Sequence, residues 1–154
     1  MISQIDILKH QGDALSGYLK LQEGFCLRHS NCLEAVAAAH GHQGWNVVSA
    51  LCRAAAADNK TNALSHEPIN VQAGRLQRHL AARYGFKLSD PEEAVAAIRW
   101  GGIVEQVNQI LGNAVAASEW LRQPHPQWAG SDPRELIETD AGYQKIERLL
   151  HPLT

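Results

Sequence analysis

The chain has 154 residues, which is enough for one domain of ordinary size or for two small helical modules. Apolar residues make up 45% of the sequence and charged residues 19%, a balance that argues against wholesale disorder. The formal net charge of −2 argues against a surface that is basic all over for nucleic acid, although one local basic face is compatible with it.

The pattern of residues predicts an all-α fold, because alanine runs are frequent and no sustained period-two alternation of β-branched residues occurs. We expect helices, in chain order, at about 14–23, 31–40, 45–57, 71–84, 91–100, 103–111 and 114–121. Asn31 is expected to cap the second of these with Glu34 reaching back, and Gly101-Gly102 to end the fifth. Two shorter helices follow, with Asp132 and Thr139 as their N-caps.

A polar stretch near the middle of the chain is the best candidate for a linker. It begins with Asp58-Asn59-Lys60-Thr61-Asn62, lacks apolar periodicity and contains Pro68. Residues 58–69 would therefore join two small helical modules, an N-terminal one at 1–57 and a C-terminal domain at 70–154.

The N-terminus and the apolar runs bear on location. No apolar run approaches the roughly 18 residues that span a bilayer. The first residues include Asp6 and lack the basic-then-apolar order of a signal peptide. We therefore expect a cytoplasmic protein with no membrane partner.

An ordered series of tryptophan, proline, glycine and threonine residues occupies the last forty or so positions. Its members are Ala117, Trp120-Leu121, Pro124, Pro126, Gly130, Pro133, Leu136-Ile137, Thr139, Gly142, Ile146 and Leu149. In order and spacing this series resembles the toxin-binding domain of the Xre/MbcA/ParS antitoxin family.

The resemblance implies an antitoxin whose partner is a RES-domain toxin, an enzyme that consumes NAD. It also implies that the antitoxin covers the active-site cleft of the toxin, usually as a homodimer. Trp128, in the proline-bounded loop, is either folded back on the core or presented as an interface anchor. The side chains expected at the toxin-binding surface are Trp128, Arg134, Glu138, Tyr143, Lys145 and Arg148.

A second resemblance concerns the N-terminal module. Residues 27–46 contain Ser30, Leu33-Glu34 and Trp45-Asn46 at spacings similar to those of a helical segment in glyoxalase-related bacterial proteins. That segment is not itself a glyoxalase active site, so the resemblance implies no catalysis.

Cysteines and histidines cluster in the same module without forming a convincing site. The residues are Cys26, Cys32, Cys52, His29, His40 and His42. They lack the close pairs that tetrahedral zinc sites use, and nothing near Cys26 supplies an orienting carboxylate or an oxyanion hole. We interpret the odd number of cysteines as free thiols. The sequence therefore predicts no enzyme, no metal and no cofactor.

One basic cluster favours a different function, binding to operator DNA. Between Pro68 and Ser89 the chain has no acidic residue. The cluster consists of Arg75, Arg78, His79, Arg83 and Lys87. A dimeric regulator could lay such a helix against phosphates. Two alternatives remain open: a solvated face, with or without salt bridges to Glu92, Glu93 and Glu105, and a dimeric scaffold that has no toxin.

Overall fold

A computed structural model describes residues 3–58, 64, 67–123, 126 and 131–150. Within these ranges the fold is all-α, as predicted, and no strand occurs. The helices are α1 (Gln4–Tyr18), α2 (His29–Ala39), α3 (Trp45–Asp58), α4 (Ile69–Tyr84), α5 (Pro91–Leu111), α6 (Ala114–Arg122), α7 (Pro133–Leu136) and α8 (Asp140–Leu150). One π-helical turn, Leu19–Glu23, continues α1 and ends at Gly24.

The first helix begins ten residues earlier than expected. Ser3 caps it, with its hydroxyl oxygen accepting from the backbone N–H of Asp6 at 3.4 Å. Buried Leu8, Leu15 and Leu19 recur at helical spacing, so they place one apolar face of α1 in the core. The early start of α1 therefore follows from an apolar stripe that the predicted range of 14–23 cut short.

The second helix corrects the predicted cap. It begins at His29, so Asn31 lies inside α2 and does not cap it. Glu34 does not reach back either, because its carboxylate accepts from the backbone N–H of Trp45 at 3.2 Å. A glutamate of α2 thus satisfies a backbone donor in the first turn of α3.

The predicted break at Gly101-Gly102 is wrong, because α5 runs through it without interruption. A Cβ added at Gly101 would lie 2.7 Å from the Cβ of Ala14 and 2.9 Å from the carbonyl oxygen of His10. One added at Gly102 would lie 2.6 Å from the side-chain nitrogen of Gln11. These glycines therefore allow α1 to approach α5 closely, and they do not end the helix.

Buried side chains form two clusters that meet on α5. The first cluster contains residues of α1 to α4, Leu88 and the first part of α5 as far as Ile98. The second cluster begins at Ile103 and continues through α6 and α8 to Leu150. Because the first cluster draws on both sides of 58–69, apolar contacts join the segments that flank the predicted linker. The division into two modules at that point stays a prediction.

Candidate protein-binding site

Helices α7 and α8 form a short hairpin whose turns are fixed by side-chain caps. The carboxylate of Asp132 accepts from the backbone N–H of Arg134 at 2.8 Å, and buried Pro133 occupies the first helical position. The hydroxyl of Thr139 accepts from the backbone N–H of Gly142 at 3.1 Å. Both caps agree with the sequence prediction.

Gly142 sets the distance between the two helices of the hairpin. A Cβ added there would overlap the backbone carbonyl of Leu136. The backbones of α7 and α8 are therefore in direct contact, and no larger residue fits without displacing one of them. This contact explains the glycine at position 142 in the series that resembles the Xre/MbcA/ParS toxin-binding domain.

The two faces of α8 differ in chemistry. Ile146 and Leu150 are buried on the inner face, whereas Lys145 and Arg148 are exposed on the outer face. Spacings of three and four residues place these pairs on opposite sides of the helix. The outer face is therefore a polar surface on a helix whose position is fixed by the inner face.

The predicted toxin-binding residues differ in how exposed they are in the structure. Arg134, Glu138, Lys145 and Arg148 are exposed, whereas Tyr143 is partly buried. Trp128 lies outside the described residues. The side chains that the hairpin presents to the surroundings are thus charged, and the aromatic one faces its own molecule.

Tyr143 belongs to a buried network that sequence reasoning missed. Arg99 of α5 is 4% exposed; its guanidinium lies 4.5 Å from the centre of the Tyr143 ring and donates to the carboxylate of Asp140 at 2.9 Å. The same carboxylate oxygen accepts from the backbone N–H of Ile69 at 2.9 Å. Burial and the neighbouring Glu147 carboxylate raise the pKa of Tyr143. The network connects α8 with the start of α4 and with the middle of α5.

A groove lies between α5, α6 and the start of α7, with a volume of about 670 Å³. Apolar lining comes from Trp100, Val104 and Leu121, and the guanidinium of Arg134 lies 5.4 Å from the Trp100 ring centre. These residues belong to three different helices, α5, α6 and α7. Only their tertiary arrangement creates the groove.

The basic cluster does not form one uniform face. Arg75 donates to both carboxylate oxygens of Glu67, at 2.6 and 2.9 Å, and not to the acids considered from sequence. Arg78, Arg83 and Lys87 are exposed. The cluster therefore offers three exposed cations and one cation that already has a carboxylate partner.

His79 of the same cluster is partly buried in α4. Its Nε2 atom is buried and makes no hydrogen bond to any residue within the described ranges. Burial lowers the pKa of His79, and the positive charge of Arg83 adds to this effect, while Glu34 opposes it. His79 therefore contributes less to a basic surface than its position on the helix suggests.

The cysteines and histidines of the N-terminal half occupy separate places. Cys32 and Cys52 are buried and Cys26 is exposed, and burial raises the pKa of both buried thiols. His29 pairs with Asp13 at 3.0 Å. Across the residues that the structure describes, no group of three potential ligands could hold a metal ion, and no helix is both long and apolar enough to cross a membrane.

Fold and surface together define an all-helical protein whose C-terminal hairpin holds a charged outer face in a fixed position. Residues 106–152 match the model of the antitoxin Xre/MbcA/ParS C-terminal toxin-binding domain. This match supports an antitoxin with a toxin-binding role. Comparisons with curated proteins and with solved structures give no match. The glyoxalase-related resemblance of residues 27–46 is not supported.

Proposed function

We propose that the chain is the antitoxin of a type II toxin–antitoxin pair and that it inhibits a RES-domain toxin by covering its NAD-binding cleft. The observation that carries the proposal is the match at 106–152, which includes all of α6, α7 and α8. In this proposal the outer surface of the α7–α8 hairpin contacts the toxin, and the antitoxin acts as a homodimer in the cytoplasm.

The construction of the hairpin suits such a task. Arg99, Asp140 and Gly142 fix α8 through a partly buried ion pair and a backbone contact. A surface that is held in place before binding loses little conformational entropy when the complex forms. Exposed Lys145 and Arg148 can then contribute electrostatic complementarity, which sets the specificity and rate of association.

The proposal is tested by co-expression with a RES-domain toxin, taken from the neighbouring reading frame if that frame encodes one. The chain should restore growth, co-purify with the toxin and suppress NAD consumption in the purified mixture. Lys145→Glu with Arg148→Glu should weaken the complex at least tenfold, about 1.4 kcal/mol. The matched control is Lys9→Glu with Lys20→Glu, which makes the same charge change at exposed positions before α2.

Two results would count against the proposal. Growth arrest despite abundant soluble antitoxin would show that the chain does not neutralise this toxin. Full NAD consumption by the toxin within an intact complex would leave binding in place but exclude occlusion of the cleft.

A second candidate function is binding to operator DNA, and the exposed cations Arg78, Arg83 and Lys87 favour it. Arg78→Ala with Arg83→Ala should reduce affinity for the upstream DNA and lower the slope of log affinity against log salt by about 2. Arg28→Ala with Arg53→Ala is the control, because Arg28, just before α2, and Arg53, on α3, are both exposed outside α4. An unchanged salt slope in the first variant would exclude the α4 surface.

A further inference from the structure

The groove between α5, α6 and α7 has features that the proposed α7–α8 contact does not use. Of the predicted toxin-binding residues that the structure describes, only Arg134 lines it. Its volume of about 670 Å³ falls within the range of pockets that hold a ligand or a large side chain. On one wall lie Trp100 and Val104 of α5, and on the other Ala117 and Leu121 of α6.

An exposed apolar side chain borders this groove. Val115 is 70% exposed, and Ser118 and Arg122, which follow it by three and seven residues on α6, both line the groove. Residues at these spacings are neighbours on the surface of a helix. Val115 therefore adds an exposed apolar side chain next to the rim that Ser118 and Arg122 form.

The acids at the groove already have partners. The carboxylate of Glu105 lies 3.0 Å from the Nε2 atom of His10 and accepts from the side chain of Gln109 at 3.1 Å. The carboxylate of Asp132 caps α7. By contrast, the guanidinium groups of Arg122 and Arg134 pair with no carboxylate among the described residues. These two guanidinium groups therefore remain available to an anionic group at the mouth of the groove.

We propose that this groove receives a segment of the toxin in which an apolar side chain stands next to a carboxylate. The apolar side chain packs between Trp100, Val104 and Leu121, and the carboxylate binds Arg122 or Arg134. Guanidinium groups bind carboxylates with two parallel hydrogen bonds, so this pair also fixes the orientation of the segment. The inference rests on the proposed function and assigns the toxin a second contact beside the α8 surface.

A matched pair of tryptophan substitutions on α6 tests the groove directly. Ser118→Trp fills the groove from its exposed rim, whereas Glu119→Trp places the same side chain at an exposed neighbouring position outside it. With the co-expressed toxin as the probe, Ser118→Trp should weaken the complex at least tenfold, about 1.4 kcal/mol. Glu119→Trp should stay within about twofold of the unchanged chain, as surface substitutions do.

A second variant tests the charge. Arg122→Glu should weaken toxin binding at least tenfold, and Arg122→Lys should weaken it less, because lysine keeps the charge but loses the paired hydrogen bonds. Helical content and unfolding midpoint should match those of the unchanged chain in both variants, since Arg122 is exposed.

The outcomes separate this inference from the proposed function. Failure of the unchanged chain to bind the toxin would overturn the proposed function and this inference with it. Unchanged binding by Ser118→Trp and Arg122→Glu, with weakening by the Lys145 and Arg148 pair, would overturn the groove contact alone. If Ser118→Trp altered only the oligomeric state of the free chain, the occupant would be a second copy and the inference would be wrong.

Discussion

The two halves of α5 support regions of different character. The first half of α5 shares with α1 to α4 a closed core in which Leu8, Leu76 and Leu80 are completely buried. Along its second half, the smaller second cluster leaves a groove open, and Leu111 and Val115 are exposed. One continuous helix, α5, therefore supports a closed core along its first half and forms the base of a binding surface along its second half.

Arg99 stands between the two regions. It lies beside Ile98, which belongs to the first cluster, and precedes Ile103, which belongs to the second. Through Asp140 it holds the start of α8, the helix that carries the charged outer face. The position of the open region therefore depends on the closed region. Substitutions at the Arg99–Asp140 pair test how large this dependence is.

The largest effect should come from removing the carboxylate that pairs with Arg99. Asp140→Ala leaves a guanidinium buried without its ionic partner and removes an acceptor from the backbone N–H of Ile69. Removing one partner of a fully buried pair costs about 3–5 kcal/mol, and because the Asp140 side chain is 40% exposed we expect a loss at the lower end of this range. We expect a loss of this size in the free energy of unfolding, measured by urea denaturation followed by circular dichroism.

The matched control removes both charges. Arg99→Met with Asp140→Ala should be less destabilised than Asp140→Ala alone, because no buried charge remains. Equal or greater destabilisation in the double variant would show that Arg99 acts through its packing, and the ion pair would then not link the two regions.

A smaller effect is expected from filling the contact between α7 and α8. Gly142→Ala forces the added Cβ against the carbonyl of Leu136 and should lower the free energy of unfolding by about 2 kcal/mol. Gly17→Ala is the matched control, because no atom lies within 4 Å of its added Cβ. In a helix this change should stabilise the chain by about 0.5–1 kcal/mol.

Opposite signs for these two glycine substitutions would confirm that the hairpin depends on a backbone contact. A neutral result for Gly142→Ala would show that α8 can move outward at little cost. In that case the outer face of α8 would not have a fixed position before a partner binds.

Sequence reasoning succeeded where structure is determined locally. The caps at Asp132 and Thr139 were predicted because each joins a side chain to backbone a few residues away. It failed at Gly101-Gly102, because the reason for these glycines lies in α1, almost ninety residues earlier. Local patterns do not contain such contacts.

The candidate site shows the same limit. The family-like series located the C-terminal domain, but it did not reveal that Tyr143 packs against Arg99 or that Trp100 and Leu121 border a common groove. A signal for Arg99 was present, since it is the only charged residue between Ala94 and Val104. A lone charge on an otherwise apolar helix indicates either a buried partner or a functional contact.

The smallest expected effect concerns pH and lies in the closed region. Burial lowers the pKa of His79 from its ordinary value of 6.5, with Arg83 acting in the same direction and Glu34 against it. Below pH 6.5 the unfolded chain binds a proton at this residue before the folded chain does, so the free energy of unfolding decreases as the pH falls toward the folded pKa.

His79→Gln should therefore lose less stability between pH 7.5 and 5.5 than the unchanged chain, whereas His29→Gln, at an exposed position, should retain most of the decrease. Urea denaturation at several pH values measures the difference. An identical pH dependence in the His79→Gln variant would show that the imidazole is hydrated in the folded chain, and the core around α4 would then be less closed than the comparison requires.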